Sequence, residues 1–123
     1  MTENQISKII LDSAFKIHKT LGPGLLESVY RECLAYELNK NGLEVEIEKP
    51  VPLVYENVKL DCGYRIDLLV DKKVIIELKV VDEFNEIHTA QTLTYMRLSG
   101  CKLGMLLNFN TTLFRNGIKR LIL

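Results

Sequence analysis

The segment Arg65 to Val81, RIDLLVDKKVIIELKVV, constrains this chain more than any other. It contains two short apolar runs, IDLLV and VIIEL, separated by the charged tripeptide Asp71-Lys72-Lys73. At that separation two strands form a β-hairpin. Successive side chains of a strand point to opposite faces, so runs that are apolar at odd and even positions alike are covered on both sides. Both strands therefore belong in the middle of a sheet with helices above and below. Each nevertheless carries an acid in its apolar setting, Asp67 in the first and Glu77 in the second, and Lys79 follows two places later. Buried charge is unfavourable unless a partner compensates it, so something should sit beside these acids.

The rest of the chain supplies the covering layers. Ile6, Ile9, Ile10, Ala14, Ile17 and Leu21 recur at helical spacing, predicting a helix from about Asn4 to Thr20 that stops at Gly22-Pro23-Gly24. A second helix is expected from about Leu25 to Lys40, with Gly42 in a left-handed cap. From Glu44 the pattern turns to strands: VEIEKPVPLVY, a turn at Glu56-Asn57, VKLDCGY, then the hairpin. Asp82 is expected to cap a third helix from roughly Glu83 to Ser99, ended by Gly100. LGMLLNF and IKRLIL read as the last two strands, joined by NTTLFRNG. Helices, a meander, one helix and two further strands make an α/β or α+β sandwich with a mixed sheet. One domain over residues 1–123 is expected, since this length buries a core without disulfide or metal staples.

Several function classes are disfavoured. There is no leader-like N-terminus and no apolar run of membrane-spanning length, which predicts a cytoplasmic protein with no membrane partner. Cys33, Cys62 and Cys101 contain no CxxC pair, so neither a zinc site nor a disulfide framework is indicated, and buried positions are expected for them. Lys plus Arg and Asp plus Glu both number 16, so a polyanion would have to be met locally, at Lys72-Lys73, Lys102 or the tail from Arg115 to Arg120. Gly22-Pro23-Gly24 lacks the preceding strand and following Lys-Ser/Thr of a phosphate loop, and reads as a corner between helices.

Whether the two acids meet depends on the turn. A two-residue loop at Asp71-Lys72 would pair Val70 with Lys73 and set Asp67 opposite Ile76, away from Glu77. A three-residue loop, Asp71-Lys72-Lys73, would pair Val70 with Val74 and set Asp67 across from Glu77, with side-chain origins about 5 Å apart. Two acids so placed repel each other and lose solvation unless a cation lies between them. Magnesium suits that role, because it takes oxygen ligands and commonly uses one or two carboxylates plus waters and phosphate. Lys79 on the same face would steady an attacking water or the charge building on phosphate. The ordinary alternative is that Glu77 pairs with Lys79 at a strand end and Asp67 with Arg65.

The ID and IIELK segments resemble the D…ExK core of the PD-(D/E)XK nuclease superfamily, and GLLESVY matches the GxxExxY signature that names one family within it. The likeness extends in order through GPGLLESVY, RIDLLV, IIELK, AQTLTYMRLSG, LGMLLNFN and GIKR. It implies a restriction-endonuclease-like core, a central mixed sheet flanked by helices on both faces. It further implies Asp67 and Glu77 as metal ligands, Lys79 as the catalytic lysine, Glu27 as an additional acid, and Gln91 with Tyr95 as supporting residues. Ile66 stands where the superfamily name has proline, which is not a ligand.

Glu27 shares a helical stripe with Tyr30, Leu34 and Leu38, although a first-turn acid is also favoured by the helix dipole alone. Gln91 and Tyr95 are four apart and share a helical face, with His88 one turn earlier; Tyr95 would otherwise be a core aromatic and Gln91 a surface amide. His18 carries no functional expectation. The function implied is a Mg²⁺-dependent nuclease, with Mn²⁺ as a substitute ion, hydrolysing phosphodiester bonds of nucleic acid and of DNA first. The alternative is a non-cleaving nucleic-acid-binding or regulatory module on the same fold. A homodimer would let so small a chain span a duplex.

Overall fold

The stripe at Ile6, Ile10, Ala14 and Ile17 forms the buried side of α1 (Glu3–Leu21) in the computed structural model, which describes residues 1–123. Thr2 and Gln5 cap its start reciprocally, each side chain accepting from the other's backbone N–H at 3.2 and 2.8 Å. Gly22 (φ +67°) and Gly24 (φ +103°) turn the chain through backbone conformations that disfavour a Cβ, and α2 (Glu27–Lys40) follows. Gly42, at φ +83°, takes the left-handed position expected beyond α2. No helix is long and apolar enough to cross a membrane.

Seven strands follow: β1 (Val45–Pro50), β2 (Leu53–Tyr55), β3 (Val58–Leu60), β4 (Arg65–Val70), β5 (Val74–Lys79), and, after α3 (Glu86–Ser99), β6 (Leu103–Asn108) and β7 (Ile118–Ile122). Five of them form one sheet in the order β1-β4-β5-β6-β7, in which only β5 and β6 run parallel. The doubly apolar β4 and β5 thus lie inside the sheet, as their composition requires. One face packs on α1 and α2 through Leu68, Val70, Val74, Ile76, Leu78, Met105 and Leu107. The opposite face, through Leu69 and Ile75, packs on Tyr95 and Met96 of α3. Gly104 lets α3 lie close to β6, since a Cβ there would meet Met96 Sδ at 2.6 Å. This is the expected mixed α+β, restriction-endonuclease-like arrangement.

Three sequence expectations need correction. VEIEKPVPLVY is not one strand: Pro50 and Pro52 lack backbone donors, and the chain leaves the main sheet there to form the separate β2–β3 hairpin. The start of α3 is capped by Asn85 and not by Asp82, because Asn85 Oδ1 accepts from His88 N at 3.0 Å while His88 Nδ1 accepts from Asn85 N at 3.2 Å. Cys101 is buried as expected and Cys33 half-buried, but Cys62 is exposed in the loop before β4.

Tyr30 explains part of the Gly24-to-Tyr30 motif without any chemistry. It is fully buried and stacked on Phe109 with ring centroids 4.4 Å apart. Its hydroxyl donates to Gly22 O at 2.6 Å and accepts from Leu25 N at 3.2 Å, tying down the corner that delivers Glu27. Tyr30→Phe strands both backbone groups, so a loss of about 1–3 kcal/mol is expected, read as a lower urea midpoint at unchanged m-value. An unchanged midpoint would show that the corner does not depend on this hydroxyl.

Candidate active site

The hairpin between β4 and β5 takes the three-residue form. Val70 pairs with Val74, Leu69 with Ile75 and Leu68 with Ile76, and Asp71 and Lys72 turn the chain at φ +51° and +55°. The next pair in register is Asp67 and Glu77, and there side chains replace the ladder. Asp67 N donates to Glu77 Oε2 at 3.1 Å, and Leu78 N donates to Asp67 Oδ2 at 2.8 Å. On the other flank β1 pairs with β4 at Ile47–Leu68 and Lys49–Ile66, with Glu48 between them at φ +50°. Asp67 therefore sits where the sheet is irregular on both sides. Ile66 and Leu68, two apart, even join opposite apolar clusters.

Neither ion pair of the ordinary alternative forms. Arg65 reaches Asp61 at 3.5 Å, and Lys79 has no carboxylate within salt-bridge distance. Glu77 is 3% exposed, and its carboxyl is pushed up to about 9, first by burial and then by the charge of Asp67. Each of the two carboxyls has one oxygen on a backbone amide, and the two side chains lie within hydrogen-bond reach of each other, so that they share the Glu77 proton. No third acid, histidine or cysteine joins them as a ready ligand cluster. Two adjacent hard-oxygen ligands, one of them holding a proton that a cation would displace, fit a small divalent ion whose remaining positions are filled by water or phosphate.

Glu27 is the first residue of α2, half-buried at the mouth of this site. Its carboxyl is raised by burial and by Asp67, against the opposing pull of Lys79 and Arg31. Glu27 thus lies within the field of Asp67 and of the lysine. Arg31, one turn on, pairs with Glu48 at 3.3 Å and keeps a buried Nε without a partner. From the other side α3 presents Tyr95, which is 4% exposed and whose phenol is pushed up to about 12 by burial, Glu77, Tyr64 and Asp67 in that order. Gln91 Nε2 donates to the Tyr95 hydroxyl at 3.2 Å. The six side chains singled out in the sequence, Glu27, Asp67, Glu77, Lys79, Gln91 and Tyr95, thus gather where β4, β5, α2 and α3 converge.

His88 stays a capping residue, its Nδ1 engaged by Asn85; burial, with a contribution from Lys79, holds the ring below its usual range. His18 is held by the Thr111 carbonyl at 2.7 Å against Phe114. The basic segments do not form one patch: Lys73 binds Met1 O at 2.6 Å, Lys119 binds Thr89 Oγ1 at 2.8 Å, and Arg120 binds Asn4.

Asn108 lies in the LGMLLNFN segment of the resemblance but carries no role in the sequence reading. It is 2% exposed at the end of β6, where Nδ2 donates to Val81 O at 2.7 Å and Oδ1 accepts from Val81 N and Asn110 N at 3.2 and 3.1 Å. With Phe109 N donating to Lys79 O at 3.2 Å, it fixes the segment that carries Lys79. The polar end of the apolar β6 run marks the position, but its partner Val81 lies 27 residues away and no local pattern points to it. Tyr64, edge-on to Tyr95 with centroids 6.1 Å apart, lay outside every motif.

A sequence model described as the PD-(D/E)XK nuclease superfamily matches residues 4–121. No curated protein and no solved structure matches the chain at a significant level.

Proposed function

Since the chain belongs to the PD-(D/E)XK nuclease superfamily, we propose that it is a divalent-metal-dependent nuclease of the GxxExxY family, a single domain over residues 1–123 that hydrolyses phosphodiester bonds. Membership suggests a nucleic-acid substrate and a divalent ion; magnesium as that ion and DNA as that substrate are our reading. The observation that carries it is the crossed pair of Asp67 and Glu77, each bonded to the other strand's backbone and the two carboxyls side by side in a buried setting. A purely structural role would gain nothing from two adjacent buried carboxyls of which only one can ionise without a cation, which is why a non-cleaving module on this fold is not favoured.

In this reading Asp67 and Glu77 hold the ion. When bound, a hard divalent cation makes hydroxide accessible at neutral pH and polarises a phosphate. Lys79, on the same face of β5 as Glu77 and free of any ion pair, orients the attacking water and balances charge on the phosphoryl oxygens. Glu27 lies across the mouth, where its raised carboxyl can hold or release a proton near that water. Gln91 and Tyr95 close the α3 side and keep bulk water from the acids. Arg31 and Glu48 brace the start of α2 against β1.

The test measures two quantities on one preparation: cleavage of labelled DNA and RNA in Mg²⁺ or Mn²⁺, and uptake of the ion by calorimetry. Wild type is expected to cut and to bind the ion, and Asp67→Ala to lose both. Cleavage that survives Asp67→Ala and Glu77→Ala together would refute the assignment.

A further inference from the structure

Beside the acid pair lies a groove of about 360 Å³ that no charged residue lines. It runs between α3 and the β2–β3 hairpin, with Leu53, Tyr64, Ile87 and Leu98 on its walls and Gln91 and Tyr95 shared with the candidate site. Tyr64 is 46% exposed and Ile87 73%, so the groove opens to solvent. A path for phosphates is built from lysine and arginine, and here there are none. Flat aromatic and aliphatic walls with a single amide suit a nucleobase instead. Bases stack on exposed tyrosine rings, and Gln91, with its Nε2 on Tyr95, keeps its carbonyl oxygen free for a base edge. A base inside a duplex must first give up its stacking and pairing to enter, so an unpaired one is favoured.

We propose that this groove receives an unpaired nucleobase next to the scissile phosphate, so that the substrate is nucleic acid single-stranded at the point of cutting. The placement of that phosphate rests on the hydrolase reading above. Continuity supplies the link: Gln91 and Tyr95, bonded to each other at the candidate site, also line the groove, where the Tyr95 ring meets Tyr64.

The test is fluorescence anisotropy with a labelled oligothymidine and a duplex of equal length, with Ca²⁺ in place of Mg²⁺ and the oligonucleotides verified intact. Wild type is expected to prefer the single strand. Tyr64→Ala should weaken single-strand binding by between about 5-fold and 150-fold, Tyr64→Phe should retain it, and neither should alter duplex binding. Folding is not at stake, because residue 64 is held through its backbone carbonyl, which accepts from Val51 N at 3.0 Å and Arg65 Nη1 at 2.9 Å. Tyr64→Ala affecting both substrates equally, or neither, overturns the proposal. So does a dimer, seen by sedimentation, that Ile87→Glu dissolves, since the groove would then join two copies. Tyr64-dependent binding without cleavage of any substrate removes the hydrolase and leaves the groove; cleavage with Tyr64-independent binding does the reverse.

Discussion

Lys79→Ala is expected to lower the cleavage rate by about 10²–10⁴-fold while leaving divalent-cation affinity unchanged or slightly improved. The two effects separate because of where the side chain sits. It shares a face of β5 with Glu77 but forms no ion pair with it, so its removal deprives neither ligand of a partner. Its ammonium also opposes an incoming cation, and that repulsion disappears in alanine. What is lost is a positive charge facing the phosphoryl oxygens and a donor for the attacking water. Lys79→Arg keeps the charge on a longer, planar group and is expected to recover only part of the rate. Single-turnover kinetics with saturating ion, beside calorimetry of the ion alone, distinguish the roles. If alanine lost ion affinity in proportion to rate, Lys79 would be acting through the architecture of the site and not on the reaction.

The hairpin shows how much of this site is legible without coordinates. Doubly apolar runs place β4 and β5 inside a sheet, and period two puts Glu77 and Lys79 on one face. The missing datum was turn length, since a shift of one residue moves Asp67 away from Glu77. Nothing in Asp71-Lys72-Lys73 forces three residues over two, and the choice is made by the sheet around it: β1 pairs along β4, and Asp71 Oδ1 accepts from Glu44 N at 2.8 Å. Asn85 illustrates a different limit. Asp82 and Asn85 are both good caps, and what decides between them is a histidine at the third helical position that bonds back, a detail that composition underweights. Tyr64 and Asn108 were illegible for a third reason. Their roles exist only through contacts of long sequence separation, to Tyr95 and to Val81, which local pattern does not encode.

The other large effect concerns Glu77, and it sets stability against chemistry. In the ion-free protein its carboxyl titrates at about 9, well above its usual value of 4.5. Between those two values the folded protein keeps a proton that the unfolded chain has released. Stability is therefore fully present below the lower value and is lost as pH rises through the upper one, at up to about 1.4 kcal/mol per pH unit. Glu77→Gln preserves shape and an oxygen that can accept from Asp67 N, but it has no proton to give up. In EDTA at pH 8 the variant should be the more stable protein, by about 1 kcal/mol or more, read as a higher Tm. At pH 4.5 the two should melt together. Mg²⁺ at pH 8 should restore wild type, releasing about one proton per ion bound, and leave the variant unmoved. The stabilised variant should nevertheless cut at least about 100-fold more slowly, having lost one of two charged oxygen ligands. Equal melting of the two proteins across the whole pH range in EDTA would mean that folding holds no extra proton on Glu77, so that its carboxyl is neither desolvated nor crowded by Asp67, and the reason for placing a cation beside it would vanish.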